Sequence, residues 1–418
     1  MKIILISIGT RGDMEPFLPI GNLLRERGHT VICSFPEQFR HLAENPGLEF
    51  FSLGTEFIEM LESDDGKAAL GGSGSGFKRF IANVRLAFKQ TDINKALVKR
   101  QFELIEREKP DRIIYNGKVV YPILWEIKHL GQTIMLSPIP YMHYVKGHTH
   151  VAFNSNFGKY LNKLTFSFAN FGMITILKIT KKWLKMQEHI SRNMLKKVLF
   201  TNKAIYTISP SLFSKPDYWR ENLKVVGFHK CSSNLAWNPN HDLVDFLEIH
   251  KDKRILYITF GSMTNPIPDE KTEILIRILE RNQIPVIIGT ASGGLVEPAG
   301  FRSDNIHFEA EIPYEWIFPK VYGVIHHGGS GTTHLGLKYG CATMIIPHII
   351  DQFVWNNIIH DLGVGPKGIK IGKIKSENLE PKILDLVTND FYKIQAGKLA
   401  SQMEKESLSE NLYNSICE

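Results

Sequence analysis

The residues best suited to chemistry form a glycine-rich turn at 326–333, which reads His-His-Gly-Gly-Ser-Gly-Thr-Thr. An apolar run at 321–325 precedes the turn, and a helix-like stretch at 332–339 follows it. A turn between a strand and a helix presents unpaired backbone N–H groups at the positive end of the helix dipole. The imidazoles and hydroxyls add side-chain donors. The turn therefore predicts a diphosphate site, with tight helix–strand packing as the alternative reason for its glycines.

Two further turns carry polar groups at equivalent places. Asp351 and Gln352 follow an apolar run at 344–347, and this pair suits two adjacent sugar hydroxyls. A helix N-cap with its neighbour is the alternative explanation. Ser262, with Gly261, closes the first strand of the second half, where its hydroxyl could reach phosphates or be an ordinary turn serine. Together these turns predict a nucleotide-sugar site.

An acid lies in the first turn of the chain, at 9–16, which reads Gly-Thr-Arg-Gly-Asp-Met-Glu-Pro. In doubly wound folds the carboxyl end of a strand faces the ligand crevice. Asp13 could there remove a proton from an acceptor hydroxyl as a general base. Equally, Asp13 or Glu15 could cap the helix that begins near Pro16.

Other candidates are weaker. Ile312 could seat a nucleobase against its main chain with Trp316 nearby, although such a tryptophan is more often part of a core. A metal site is not expected, because His326 and His327 have no carboxylate or third histidine at ligand spacing. We expect His327, the hydroxyls and the helix dipole to neutralise an anion instead. The four cysteines are widely spaced, which favours a reducing cytoplasm.

The elements that position these residues alternate between strand and helix. A strand at 2–8, a helix at 16–27 and a strand at 30–35 form one β-α-β unit, and the pattern restarts at 254. It predicts two doubly wound α/β domains that face each other across a cleft. The expected divisions are an N-terminal acceptor domain at 1–229, a linker at 230–253, a C-terminal nucleotide-sugar domain at 254–390, and a final helix at 391–418 that packs back on the first domain.

Composition sets broader limits. The 418 residues are 43% hydrophobic and 22% charged with a net charge of +7, typical of a soluble globular protein. The lysines are scattered without an aromatic-basic platform, so nucleic acid is not an expected partner. An uncharged stretch at 164–177 lies between Lys163 and Lys178, and Lys181, Lys182 and Lys185 follow. It could lie on a membrane, line an apolar acceptor cleft, or be a buried helix pair. The stretch 71–76 could be a natural mobile lip or an engineered linker.

In combination, these motifs resemble those of inverting GT-B glycosyltransferases that use nucleotide-diphosphate sugars, above all bacterial sterol-glucosyltransferase-like and glycopeptide-antibiotic glycosyltransferases. The resemblance covers both halves, and the motifs stand in family order at 9–16, 260–262, 312–319, 326–333 and 347–366. It implies that Asp13 is the base, that Ile312 meets the nucleobase, and that Asp351 and Gln352 contact the sugar. The diphosphate would be bound by His327, Gly329, Ser330, Gly331 and Thr332. The family needs no metal, and the UDP-sugar is a co-substrate, so no cofactor is expected.

Some residues depart from the family pattern. Leu335 stands where plant-type relatives place a ribose-binding glutamate, and 348–350 differs from the sterol-like branch. The acceptor region resembles that branch at 162–165 and Trp183. The expected activity is transfer of a hexose, with glucose favoured, from a UDP-sugar to a lipophilic alcohol or phenol. A nucleotide-sugar epimerase and a non-catalytic nucleotide-sugar-binding protein are the alternatives. The expected location is the cytoplasm, with peripheral contact to the inner membrane face left open.

Overall fold

The computed structural model describes residues 1–44, 47–63, 76–153, 156–230, 237–261, 263, 265, 267–406 and 409–417, and only the backbone of 76–89, 292 and 409. Ser262 and the linker segment 231–236 lie outside these residues, as does the stretch 71–76 apart from the backbone of Gly76. The described chain divides into two compact units. Unit 1 holds the described residues up to 230 together with 409–417, and unit 2 holds those from 237 to 406.

Unit 1 is built on a seven-stranded parallel sheet whose order is β3-β2-β1-β4-β5-β6-β7. Its strands are β1 (Lys2–Ile6), β2 (Thr30–Phe35), β3 (Glu49–Ser52), β4 (Arg112–Asn116), β5 (Thr133–Ser137), β6 (Lys203–Tyr206) and β7 (Leu223–Val225). Its helices are α1 (Arg11–Met14), α2 (Phe17–Glu26), α3 (Arg40–Glu44), α4 (Glu56–Glu62), α5 (Gly76–Glu108), α6 (Tyr121–Trp125), α7 (Lys159–Trp183) and α8 (Arg192–Thr201), with a 3-10 turn at Glu37–Phe39.

Helices cover both faces of this sheet, as its apolar strands require. In β1, Ile4 and Ile6 belong to one buried cluster, whereas Ile3 and Leu5 belong to the cluster on the opposite face. The chain runs outward from β1 through β2 to β3 and then returns to β4 on the other side of β1. The carboxyl ends of β1 and β4 therefore form the topological switch point, where α/β sheets bind ligands.

Unit 2 has a five-stranded parallel sheet of order β10-β9-β8-β11-β12. Its strands are β8 (Leu256–Thr259), β9 (Val286–Gly289), β10 (Ile306–Glu309), β11 (Gly323–His326) and β12 (Ala342–Ile345). Its helices are α9 (His241–Ile249), α10 (Pro268–Arg281), α11 (Tyr314–Ile317), α12 (Ser330–Lys338), α13 (Ile350–Asp361), α14 (Ser376–Thr388) and α15 (Asp390–Glu404), with 3-10 turns at Ala291–Gly293, Phe318–Lys320 and Ile371–Lys373. The switch point lies between β8 and β11.

The structure differs from the expected divisions at two places. The stretch 230–253 contains a helix, α9, which Asn240 caps through its side chain. The final helix is two helices: α15 packs in unit 2, and α16 (Ser409–Cys417) packs in unit 1. Leu412 and Ile416 of α16 are buried in the core of unit 1. Within the described residues, no helix is long and apolar enough to cross a membrane.

Candidate functional site

Two glycine-containing turns meet at the switch point of unit 2. Thr259 at the end of β8 pairs in register with His326 at the end of β11, so the turns that follow these strands are neighbours. Gly261 has a φ of +54°, and a Cβ there would lie 2.9 Å from His327 Cε1. The imidazole of His327 thus packs directly against the backbone of the turn that follows β8.

The turn after β11 leads into the N-terminus of α12. Gly329 is the N-cap residue with extended backbone, and within the described chain no side chain caps this helix. Gly328 has a φ of +99°, and a Cβ there would lie 2.7 Å from the Ile345 side chain and 3.1 Å from Gln352 Cβ. Glycine is therefore required for the turn itself. The first N–H groups of α12, from Ser330 to Thr332, are suited to an anion.

Three buried histidines line this region: His326, His327 and His348. His326 Nδ1 accepts a hydrogen bond from the Gly328 N–H at 3.0 Å, and His348 Nδ1 donates to the Ile346 carbonyl at 3.0 Å. His326 Nε2, His327 Nδ1 and His348 Nε2 have no hydrogen-bond partner among the described residues. Each unpaired buried polar atom costs about 1–3 kcal/mol, so such a cluster indicates a polar ligand or water.

The histidines of this cluster are neutral. Burial lowers the pKa of His326 to about 3 and that of His348 to about 4. Burial lowers the pKa of His327 well below its usual range, and the two neighbouring histidines lower it further. In the free protein, His327 is therefore suited to act on an anion as a neutral hydrogen-bonding ring rather than as a cation. Its ring instead offers a hydrogen bond in a desolvated setting, where such bonds are strong.

Gln352 and Asp351 lie in the first turn of α13, next to the glycine-rich turn. Gln352 is buried, and its Oε1 accepts hydrogen bonds from the N–H groups of His348 at 2.7 Å and Ile349 at 3.1 Å. Its oxygen therefore caps its own helix from the third position, with Ile349 rather than Asp351 as the N-cap residue, while its Nε2 takes no part in those bonds. Asp351 is half-buried at the same helix terminus.

The two residues considered for the nucleobase lie in different surroundings. Ile312 is buried just before α11. The Trp316 ring packs against Trp237 with centroids 5.0 Å apart, and it lines a surface depression with Ile255, which precedes β8. Ile255 is at the amino end of its strand, whereas the glycine-rich turns are at the carboxyl ends. Trp316 is thus not brought together with those turns.

A residue that sequence reasoning missed, Tyr314, approaches the site instead. Its hydroxyl would lie 3.6 Å from a Cβ at Gly261, and its ring stacks on Phe318 with centroids 4.8 Å apart. The missed signal was its position as the first residue of α11, directly after the strand-to-helix turn at Ile312 and Pro313. A residue there lies closer to the carboxyl edge of the sheet than one later in the helix.

At the switch point of unit 1, the Asp13 carboxylate is fully engaged. Its Oδ2 accepts a hydrogen bond from the Thr10 N–H at 2.8 Å, so it caps α1, and Lys118 Nζ lies 2.8 Å from both carboxylate oxygens. A Cβ at Gly9, where φ is +141°, would overlap the carboxylate. The acid thus lies over the turn after β1, beside a lysine from the turn after β4.

Hydrogen bonds of buried polar side chains hold the turns after β1 and β4 in place. Asn116 at the end of β4 donates to Ser7 Oγ at 2.9 Å and to the Ile8 carbonyl at 2.7 Å. Ser7 Oγ in turn donates to the Asp13 carbonyl at 2.7 Å, and Asn116 Oδ1 accepts from the Lys118 N–H at 3.2 Å. The two turns that carry Asp13 and Lys118 are therefore tied together.

No cluster of three or more His, Cys, Asp or Glu side chains suited to a metal ion occurs in the described part of the chain. Asp13 is half-buried, and its two oxygens are shared between an N–H group and an ammonium. In the histidine cluster of unit 2, His326 Nδ1 bonds to the Gly328 N–H and His348 Nδ1 bonds to the Ile346 carbonyl, so both partners are backbone groups. The described residues bring hydrogen-bonding groups, one carboxylate and a helix N-terminus to these two switch points.

Comparison with family models finds one matching segment in each half of the chain. Residues 3–135 match the glycosyltransferase family 28 N-terminal domain. Residues 295–416 match the C-terminal domain of proteins like the erythromycin biosynthesis protein CIII. The first match contains Asp13 and Lys118, and the second contains the glycine-rich turn, Asp351 and Gln352.

Comparison with curated proteins and solved structures agrees with these matches. A sterol 3-beta-glucosyltransferase of Arabidopsis thaliana is 30% identical over 97% of this chain, and the chain spans 63% of that relative's length. The calicheamicin glycosyltransferase CalG4 has a TM-score of 0.68 at 15% identity, covering 99% of this chain and 97% of its own. The SsfS6 glycosyltransferase of Streptomyces sp. SF2575, solved with thymidine diphosphate, has a TM-score of 0.63 at 16% identity, covering 100% and 99%. Two Rossmann-like domains of the GT-B glycosyltransferase type make up the fold.

Proposed function

We propose that this chain, which joins a family 28 glycosyltransferase domain to an erythromycin biosynthesis protein CIII-like domain, is an inverting UDP-sugar glycosyltransferase. It moves a hexose, with glucose favoured, to a hydroxyl of a lipophilic acceptor such as a sterol, polyketide or phenol. The sterol 3-beta-glucosyltransferase relative and the glycosyltransferase neighbours support this proposal. We propose a cytoplasmic enzyme that needs neither a metal nor a cofactor.

One observation carries the proposal: an uncapped helix N-terminus beside a cluster of buried, neutral and incompletely paired histidines. We assign the diphosphate to Gly329, Ser330, Gly331 and Thr332 through N–H groups and hydroxyls, with His327 as a further donor. Ser262 keeps its proposed role toward the phosphates, and Ile312 keeps its role toward the nucleobase. Trp316 is not assigned to the nucleobase, because it lies beside Ile255 at the other end of the sheet. Asp351 and the amide nitrogen of Gln352, whose oxygen caps α13, are proposed to bind the sugar.

The reaction requires one proton transfer and one displacement. Asp13 takes the proton of the acceptor hydroxyl, and the acceptor oxygen forms a bond to the anomeric carbon. The bond from that carbon to the diphosphate oxygen breaks, and its electron pair leaves with the nucleoside diphosphate. Attack opposite the leaving group inverts the configuration. Donors aimed at the departing diphosphate lower the barrier because negative charge develops there.

Substitution of Asp13 by asparagine tests the base. Asparagine keeps an oxygen that can accept from the Thr10 N–H, so the cap of α1 is retained while the proton acceptor is lost. We expect Asp13→Asn to bind UDP as the wild type does and to transfer sugar about 100- to 10,000-fold more slowly. Product formation on a panel of UDP- and TDP-sugars and alcohols, read by mass spectrometry, measures this.

Glu15→Gln is the matched control, because Glu15 is a half-exposed acid close to Asp13 in the chain and pairs with Arg11 at 2.9 Å. Its transfer rate should equal that of the wild type. An Asp13→Asn variant as fast as the wild type would refute the role of the base. Conversion of the nucleotide sugar without any acceptor would indicate an epimerase, and tight donor binding without turnover on any alcohol would indicate a binding protein.

A further inference from the structure

Helix α7 of unit 1 exposes apolar side chains along its whole length. The exposed stripe consists of residues at helical spacing, each between 41% and 64% exposed: Leu161, Leu164, Phe168, Phe171 and Ile179. The opposite face of the same helix is buried in the unit through Phe166, Ile174 and Leu177. The uncharged stretch 164–177 is thus neither a helix pair nor fully buried, since it is one helix that is apolar on two faces.

Helix α8 extends this surface. It exposes Met194 and Phe200, and the guanidinium of Arg192 at its start lies 5.6 Å from the Phe171 ring of α7. Around the start of α7, Phe157 and Tyr160 are also exposed. We call these exposed residues of α7 and α8, together with Phe157, the apolar surface. Contiguous exposed apolar area of this kind indicates an interaction site.

Positive charge surrounds the apolar surface. Residues 157–203 contain ten lysines and arginines and a single acid, Glu188, whereas the excess of the entire chain is seven. Glu188 is already paired with Lys128 at 2.5 Å. Helix α7 has lysines at both ends, namely Lys159, Lys163, Lys178, Lys181 and Lys182, and no acid. Within the described residues none of these lysines forms a salt bridge.

The length of the exposed stripe and the charge around it indicate which kind of partner the apolar surface binds. From Leu161 to Ile179 the stripe is about 27 Å long, given the rise of an α-helix, which exceeds a single small-molecule acceptor. An anionic lipid bilayer presents an apolar layer under negatively charged headgroups, which matches an apolar stripe with lysines at its ends and edge. Phe168 and Phe171 would enter the acyl boundary, while Lys178 and Lys182 would reach the headgroups.

We propose that α7 and α8 dock unit 1 on the surface of an anionic bilayer, with α7 lying in the plane of the membrane. In this arrangement α7 does not cross the membrane, because its opposite face is packed in the core of unit 1. The proposal does not depend on sugar transfer, and it goes beyond the proposed function. It would also bring the enzyme to the compartment where lipophilic acceptors dissolve.

Vesicle binding of the full chain tests this. We expect the protein to co-sediment with vesicles of phosphatidylcholine containing phosphatidylglycerol, and to bind pure phosphatidylcholine vesicles at least tenfold more weakly. Binding should weaken as salt rises, because screening reduces the attraction of lysines to headgroups. Equal binding to both kinds of vesicle, or no binding to anionic vesicles, would overturn the proposal. The proposal would also be overturned if the protein bound another protein through this surface and did not bind vesicles.

Two pairs of variants locate the surface. Phe168→Ser with Phe171→Ser should weaken binding at least tenfold, and Lys178→Glu with Lys182→Glu should weaken it by about fivefold or more for each lysine. The control for the phenylalanine pair is Ile249→Ser with Ile394→Ser, because both are exposed apolar residues of unit 2. The control for the lysine pair is Lys367→Glu with Lys398→Glu, because both are exposed lysines of unit 2. The controls should bind as the wild type does. Surface variants that bind like their controls would place the contact elsewhere.

Discussion

The contact between Lys118 and Asp13 makes the lysine a positioning residue for the proposed base. Its ammonium lies 2.8 Å from both carboxylate oxygens, and it is half exposed. Without it, the N–H and the hydroxyl of Thr10 would remain to orient the carboxylate. We expect Lys118→Met to lower kcat about tenfold with little change in the KM for the acceptor, since misorientation affects the chemical step more than binding. Steady-state kinetics of the purified protein measure this.

Lys118→Arg should restore most of the rate, because it returns a cation to the carboxylate. If the lysine had only a structural role, Lys118→Met would change kcat and KM together. An unchanged kcat in Lys118→Met would contradict the assignment. The sequence identified Asp13 from its turn, but it gave no sign of Lys118, which is far away in the chain. Only the parallel pairing of β1 with β4, Ile6 with Tyr115, brings the two turns together.

At the scale of elements, the N-terminus of α12 can be tested without disturbing the fold. A Cβ at Gly331 would meet nothing within 4 Å. Alanine there should not lower the stability, because it favours the helix relative to glycine by about 0.5–1 kcal/mol. A methyl group among the donors proposed for the diphosphate should weaken UDP binding about tenfold. Calorimetric titration and thermal unfolding of Gly331→Ala check both expectations.

Gly397→Ala is the control, since Gly397 also lies within a helix, α15, and its Cβ would also meet nothing within 4 Å. It should be as stable as Gly331→Ala and should bind UDP like the wild type. Equal UDP affinity in both variants would argue against a diphosphate at α12. The turn before α12 was predictable because glycines between an apolar run and a helix carry a local signal. The exposed stripe of α7 was not, because its apolar residues would look the same in a buried helix.

At the scale of the whole molecule, alternating apolar runs and amphipathic stretches sufficed to predict two parallel α/β sheets. They did not suffice for the final helix. Residues 404–408 contain no glycine or proline, so no local signal separates α15 from α16. The split follows from the cores that the two helices join: Leu399 is buried in unit 2, whereas Leu412 packs in the core of unit 1. Membership of a core is a tertiary property that local patterns do not encode.

Buried histidines should make the stability of the protein depend on pH. Burial lowers the pKa of His143, His150, His334 and His348 to about 4 and that of His326 to about 3, and it lowers that of His327 well below its usual range. In the unfolded chain these groups titrate near 6.5. As pH falls below about 6.5, the unfolded state therefore binds protons that the folded state does not.

The expected result is full stability above pH 6.5 and a progressive loss toward pH 4, of up to about 1.4 kcal/mol per pH unit for each histidine. Thermal or urea unfolding between pH 7.5 and 5 measures the slope. His334→Gln removes one contributor and should make the slope shallower by about one histidine's share. Asn357→Gln, at an exposed position of α13 that carries no ionisable group, should leave it unchanged. A melting temperature that stays constant or rises as the pH falls from 6.5 to 5 would mean that these histidines are protonated, and hence hydrated or paired, in the folded protein.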